Sequence, residues 1–169
     1  IYLVNGAPVD SATATAAPTN QLYHTRGKGM FGSRSSEAGA GDRGYGMGVS
    51  AADYDGDGDT DLYVTNWGAN ALYRNYEAYF SNVTHSAGVG DPRWGTSAAF
   101  LDYDNDGDLD LFVANYVTFS PSNNVYCARG NVRTYCAPDE FPAHGDVFYR
   151  NDGTRVVDIT HSVGLTHVG

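Results

Sequence analysis

The chain carries one acidic segment twice. Asp53-Tyr54-Asp55-Gly56-Asp57-Gly58-Asp59-Thr60-Asp61 recurs as Asp102-Tyr103-Asp104-Asn105-Asp106-Gly107-Asp108-Leu109-Asp110, and both copies read D-x-D-x-D-G-x-x-D. Carboxylates at alternate positions of a tight loop converge, and they repel one another unless a cation sits among them. Hard oxygen ligands in that number suit calcium, which takes about 6–8 of them. The glycine at the sixth position, Gly58 or Gly107, allows the sharp turn. The expected ligands are the side chains of Asp53, Asp55, Asp57 and Asp61 with the main-chain carbonyl of Asp59. In the second copy they are Asp102, Asp104, Asp106 and Asp110 with the carbonyl of Asp108, which makes two calcium ions in all. The bland alternative is a pair of solvated acidic turns, and two copies in register weigh against it.

The flanks decide what kind of loop this is. An EF-hand needs a bidentate Glu at position twelve and a helix on either side. Position twelve here is Val64 or Val113. The segments that follow, Asp61-Leu62-Tyr63-Val64-Thr65-Asn66 and Asp110-Leu111-Phe112-Val113-Ala114-Asn115, are β-branched and aromatic, as strands are. Each loop is therefore expected to join two strands of a hairpin.

Other segments recur as well. Leu72-Tyr73-Arg74-Asn75 returns as Phe148-Tyr149-Arg150-Asn151, and Val83-Thr84-His85-Ser86 returns as Ile159-Thr160-His161-Ser162. A weaker copy starts at Leu22-Tyr23-His24-Thr25, and Ile1 to Gly6 resembles the strand that leaves an acidic loop. Each unit reads as four short antiparallel strands, A to D, with the acidic loop between A and B. The pattern predicts strands near 46–53, 61–66, 71–76 and 79–85, then near 95–102, 110–116, 146–151 and 154–160. Four-stranded units repeating at this interval are the mark of β-propeller blades. The expected fold is all-β and the chain 1–169 is one repeat domain. It holds a partial blade at 1–45 with an insertion at 6–19, a full blade at 46–94, and a full blade at 95–169 with an insertion at 117–145. Two and a part blades do not close a ring of the usual 4–8. The chain is thus expected to be a piece of a longer protein or a processed product, completed by further repeats or by other copies of itself.

These motifs together resemble the VCBS/FG-GAP repeats of integrin-α-like β-propellers. More closely, they resemble the secreted cartilage acidic protein or ASPIC/UnbV-type family. The resemblance rests on Gly46-Met47-Gly48-Val49-Ser50-Ala51-Ala52 running into the first loop, on Ala71-Leu72-Tyr73-Arg74-Asn75, on Asn82-Val83-Thr84-His85-Ser86-Ala87-Gly88-Val89, and on Tyr135-Cys136-Ala137-Pro138. It implies a secreted or cell-surface, calcium-binding structural or adhesion module, with extracellular proteins or glycans as partners.

The charge pattern agrees with local metal sites. Ten of the 20 acidic residues lie in the two loops, and the remaining ten balance the 10 Lys and Arg. Two calcium ions would bring the net charge from -10 to −6. No basic patch points to nucleic acid, and no apolar run reaches membrane-spanning length. Gly-x-Ser-x-Gly, His-Glu-x-x-His and phosphate-binding loops do not occur, and catalysis is not expected. Asp139 and Glu140 are a weak carboxylate pair for glycoside cleavage, since neighbours in a strand point apart. His85 and His161 hold equivalent positions, which points to a turn or a blade contact. Trp67 and Trp94 are expected to pack between repeats rather than stack on sugars.

Strand alternation puts the acidic loops on one face and the two insertions on the other. Long loops on a rigid scaffold carry binding, so the insertion face is the alternative site, for a carbohydrate-binding or carbohydrate-active domain. Cys127 and Cys136 lie in the second insertion, where a disulfide fits better than zinc or two free thiols and implies an oxidising compartment. Asn82-Val83-Thr84 is an N-glycosylation sequon, and the Thr13–Thr19 segment is a weaker candidate for O-glycans.

Overall fold

A computed structural model describes residues 1–6 and 18–165. The insertion at 6–19, with its Thr-rich segment, lies mostly outside the described residues, as does the end of the chain. The fold is all-β, and three antiparallel sheets follow the three repeats. The first sheet has the order β1 (Tyr2–Leu3), β2 (Gln21–Gly27), β3 (Met30–Ser33), which are strands B, C and D of a partial blade. The second is β4 (Tyr45–Ala52), β5 (Asp61–Tyr76), β6 (Tyr79–Asn82). A short helix α1 (Thr84–Ala87) leads out of it. The third is β7 (Gly95–Leu101), β8 (Asp110–Asn115), β11 (Val147–Asn151), β12 (Val156–Asp158). A small hairpin in the second insertion pairs β9 (Ala128–Arg129) with β10 (Val132–Arg133). Among the described residues no sheet closes on itself.

The second sheet has four strands in substance. A straight strand of 16 residues would run about 50 Å. The N–H of Asn75 nevertheless donates to Asp61 Oδ1 at 2.7 Å, so β5 folds back on itself. The reversal lies at 67–70, where Gly68 takes φ +106° and Asn70 Oδ1 accepts from the N–H of Asn66 at 2.8 Å. Residues 61–66 and 71–76 are then strands B and C, as the repeat requires.

Alternation along these strands builds the core. Leu62, Val64, Ala71 and Tyr73 pack toward the first sheet with Tyr2, Val4 and Phe80. Tyr63 and Leu72 turn the other way and meet Leu111, Val113, Val147 and Tyr149 of the third sheet. The middle blade is therefore buried on both faces, and each large apolar side chain there contributes about 1.5–3 kcal/mol. The inner strands β4 and β7 run so close that a Cβ on Gly48 would lie 2.9 Å from the carbonyl oxygen of Thr96.

Strand D is shorter than the sequence pattern suggests, and the reason is a side chain. Asn82 Oδ1 accepts from the N–H and the hydroxyl of Thr84 at 3.1 and 2.7 Å, which turns the chain into α1. Asp158 does the same to Thr160 at 2.9 and 2.5 Å. The Thr hydroxyl then accepts from strand C: Thr84 from Leu72 N–H at 2.8 Å, Thr160 from Phe148 N–H at 2.9 Å. Ser35 accepts from Leu22 N–H in the partial blade at 2.7 Å. His85 and His161 sit exposed on the turns that follow. Asp139 and Glu140 lie in a 3-10 turn, Pro138–Glu140, and not in a strand.

Candidate metal centre

Each acidic loop hangs between strands A and B, and its own carboxylates shape it. Asp53 follows the end of β4 and curls the loop around itself. Its Oδ1 accepts from the N–H of Asp57 at 3.0 Å and its Oδ2 from Gly58 at 2.9 Å. Asp57 Oδ1 accepts from the N–H of Asp59 at 3.0 Å. The turn needs left-handed backbone twice, at Gly56 (φ +71°) and Gly58 (φ +95°). In the second loop Asn105 (φ +61°) and Gly107 (φ +96°) take those places. Asn is among the few residues with a side chain that visit this region readily. There Asp102 Oδ2 accepts from Gly107 N–H at 3.3 Å, and Asp106 Oδ1 accepts from Asp108 N–H at 2.9 Å.

The ninth-position aspartates do something the sequence pattern does not announce. Asp61 and Asp110 are both fully buried. Asp61 Oδ2 accepts from Tyr54 N–H at 3.0 Å and Oδ1 from Asn75 N–H at 2.7 Å. Asp110 takes Tyr103 N–H at 2.7 Å and Asn151 N–H at 2.9 Å in the same way. Each thus ties the acidic loop to strand C. Asp59 faces the C–D turn, where its Oδ2 accepts from Glu77 N–H at 2.7 Å. Asp108 packs against the corresponding turn, since a Cβ on Gly153 would lie 2.8 Å from its Oδ2. The A–B and C–D connections therefore share one face, as expected.

The electrostatics fit a site short of positive charge. Burial pushes the Asp61 carboxyl up to about 6, against the hydrogen bonds it accepts. Desolvation also raises Asp55, although Arg74 opposes the rise. Asp104 is raised by desolvation and then by neighbouring Asp106. Asp57 is lowered, first by the N–H of Asp59 and then by Arg74. Oxygens of Asp53, Asp55 and Asp61 come within 4.8 Å of one another, as do those of Asp102, Asp104 and Asp106. An all-oxygen donor set of this density, unfavourable when charged and empty, suits a hard cation such as calcium or magnesium. Three expected ligands meet in each loop: Asp57 stands outside the first cluster and Asp110 outside the second.

The opposite face holds the second insertion. Cys127 and Cys136 form a disulfide there, with their Cα atoms 5.2 Å apart. Trp94, Tyr116, Phe119 and Phe141 line a cavity of about 640 Å³ together with Arg133 and Tyr135. Trp67 and Trp94 meet between the blades with ring centroids 6.3 Å apart, and Trp67 Nε1 donates to the Phe119 carbonyl at 3.1 Å. Both tryptophans therefore pack where the repeats join. Asn82 is exposed at the end of β6.

Among curated proteins none matches the chain. The FG-GAP-like repeat matches residues 9–64 and again residues 53–113, each match ending on the strand that leaves an acidic loop. Together the matches span more than half of the sequence, and the chain belongs to the FG-GAP-like repeat family.

Proposed function

We propose that the chain is a calcium-stapled, non-catalytic structural or adhesion module of an extracellular protein. The observation that carries this reading is the pair of equivalent loops in each of which three aspartate carboxylates converge within 4.8 Å. Calcium is a folding ligand in this reading: it cancels repulsion and fixes each A–B connection against strand C. Affinity belongs with other extracellular modules, at a Kd of about 10⁻⁴–10⁻³ M. The disulfide and the exposed sequon at Asn82 support an oxidising, secretory setting. No helix among the described residues is long and apolar enough to cross a membrane.

The partners fit the same reading. In the middle blade, Tyr63 and Leu72 pack on the following blade, and Leu62, Val64 and Phe80 pack on the preceding one. Their counterparts at the two ends carry the same apolar character. Phe112 and Phe148 hold the places of Tyr63 and Leu72, beside Leu101 and Tyr103, which are 39 % and 47 % exposed. At the other end Ile1, Leu3 and Phe31 hold the places of Leu62, Val64 and Phe80 and are 50 % exposed or more. Further repeats, or other copies of this chain stacked head to tail, are the partners these faces suit. Thermal unfolding with calcium and with chelator tests the metal reading, and an unchanged melting temperature would sink it.

A second reading has its own observation. The aromatic cavity of the insertion face suits a carbohydrate ring, with Arg133 and Asn124 as polar groups at its edge. Binding on a glycan array that is lost in Phe141→Ala would favour this reading over a purely structural role.

A further inference from the structure

The two loops are built alike but neutralised differently. Arg74 and Arg150 hold the same place on strand C. Arg74 reaches into the first loop, with Nε 2.6 Å from Asp55 Oδ2 and Nη2 3.1 Å from Asp57 Oδ2. Arg150 stays close enough to act on Asp104 through space, but its direct bonds go to Asp152, Nε to Oδ1 at 2.6 Å and Nη2 to Oδ2 at 3.2 Å. The two sites differ at one neighbouring position. The residue two places beyond Arg150 is Asp152, and two places beyond Arg74 stands Tyr76, which offers no carboxylate.

The carboxylates register the difference. In the second loop Asp106 belongs to the converging set with Asp102 and Asp104. Its counterpart Asp57 is absent from the first set, where Asp61 joins Asp53 and Asp55 instead. Arg74 holds Asp57, and it also holds an oxygen of Asp55, which is one of the three that do converge.

We propose that Arg74 is an internal cation of the first loop that competes with the metal, so that the second loop binds a divalent cation more tightly and fills first. This rests on the reading of both loops as divalent-cation sites. A guanidinium keeps its charge throughout the working pH range, so the competition does not lapse with pH. The Arg74 side chain is 46 % exposed, and water screening keeps the effect moderate. A difference of about three- to tenfold in dissociation constant is the scale expected for exposed ion pairs.

The test is calorimetric titration of the intact chain with calcium. Asp104→Asn leaves only the first loop competent, and Asp55→Asn leaves only the second. The second loop is expected to bind about three- to tenfold more tightly than the first. Arg74→Gln, added to the first-loop protein, is expected to tighten binding to the level of the second loop. Tyr76→Asp, which offers Arg74 the partner that Arg150 has, is expected to act in the same direction without removing the arginine. Tyr76 is 64 % exposed, so that substitution is compatible with folding. Arg74→Gln in the second-loop protein is expected to change nothing. Equal affinities with no response to Arg74→Gln or Tyr76→Asp would overturn the proposal and leave the metal sites standing. Calcium binding at neither loop of the unaltered chain would overturn the metal reading itself.

Discussion

Asp61 answers to two demands. It is a candidate ligand, and it is also the buried acceptor for the N–H groups of Tyr54 and Asn75. Asp55 is different: it lies in the exposed part of the loop, and its ion pair is with Arg74. The two substitutions should therefore separate binding from framework. Asp55→Ala is expected to remove the calcium-dependent rise in melting temperature at the first loop and to leave the chelated protein nearly unchanged. Asp61→Ala is expected to lower stability in chelator as well, by about 1–3 kcal/mol, because two buried donors lose their acceptor. Denaturant unfolding with and without calcium checks both. Backbone angle makes a second prediction at this scale. Gly56→Asn should be tolerated, since Asn105 already holds that conformation in the second loop. Gly58→Ala should cost about 1–2 kcal/mol, because φ +95° suits only glycine.

At the scale of elements, the acidic loops, the blade order and the disulfide were legible in the sequence. Carboxylate spacing, glycine position and β-branched flanks are local signals, and two copies in register reinforced them. The end of strand D was harder to read, because Val83-Thr84-His85 has strand-like residues. The Asn82 side chain overrides that propensity by bonding Thr84 locally. The dual role of Asp61 was hidden for another reason: its second partner, Asn75, lies across a chain reversal. Arg74 was visible in a repeated motif, but its reach to Asp55 is a contact between distant parts of the chain that the motif alone does not carry. The disulfide belongs to the insertion alone. Reduction is accordingly expected to speed amide exchange around β9 and β10 and to leave β4, β5 and β8 protected, as hydrogen-exchange mass spectrometry would show.

Across the whole molecule, one bond recurs where strand B hands over to the next connection. Asn5 N–H donates to Asn20 Oδ1 at 2.7 Å, Asn66 N–H to Asn70 Oδ1 at 2.8 Å, and Asn115 N–H to Asp146 Oδ1 at 2.9 Å. The chain separations these bonds close are 15, 4 and 31 residues. The stems are clasped identically whatever the length of chain between them. Lengthening a loop between fixed ends costs little, about 0.6 kcal/mol for each doubling. Each blade is therefore a socket, and what is plugged into it is free to vary. Moving residues 116–145 in place of 67–69 should give a folded protein with its disulfide formed, measurable by circular dichroism and thiol titration. A scaffold made this way accepts new cargo on one side while its acidic loops keep the other side constant, and the blades can diversify one at a time.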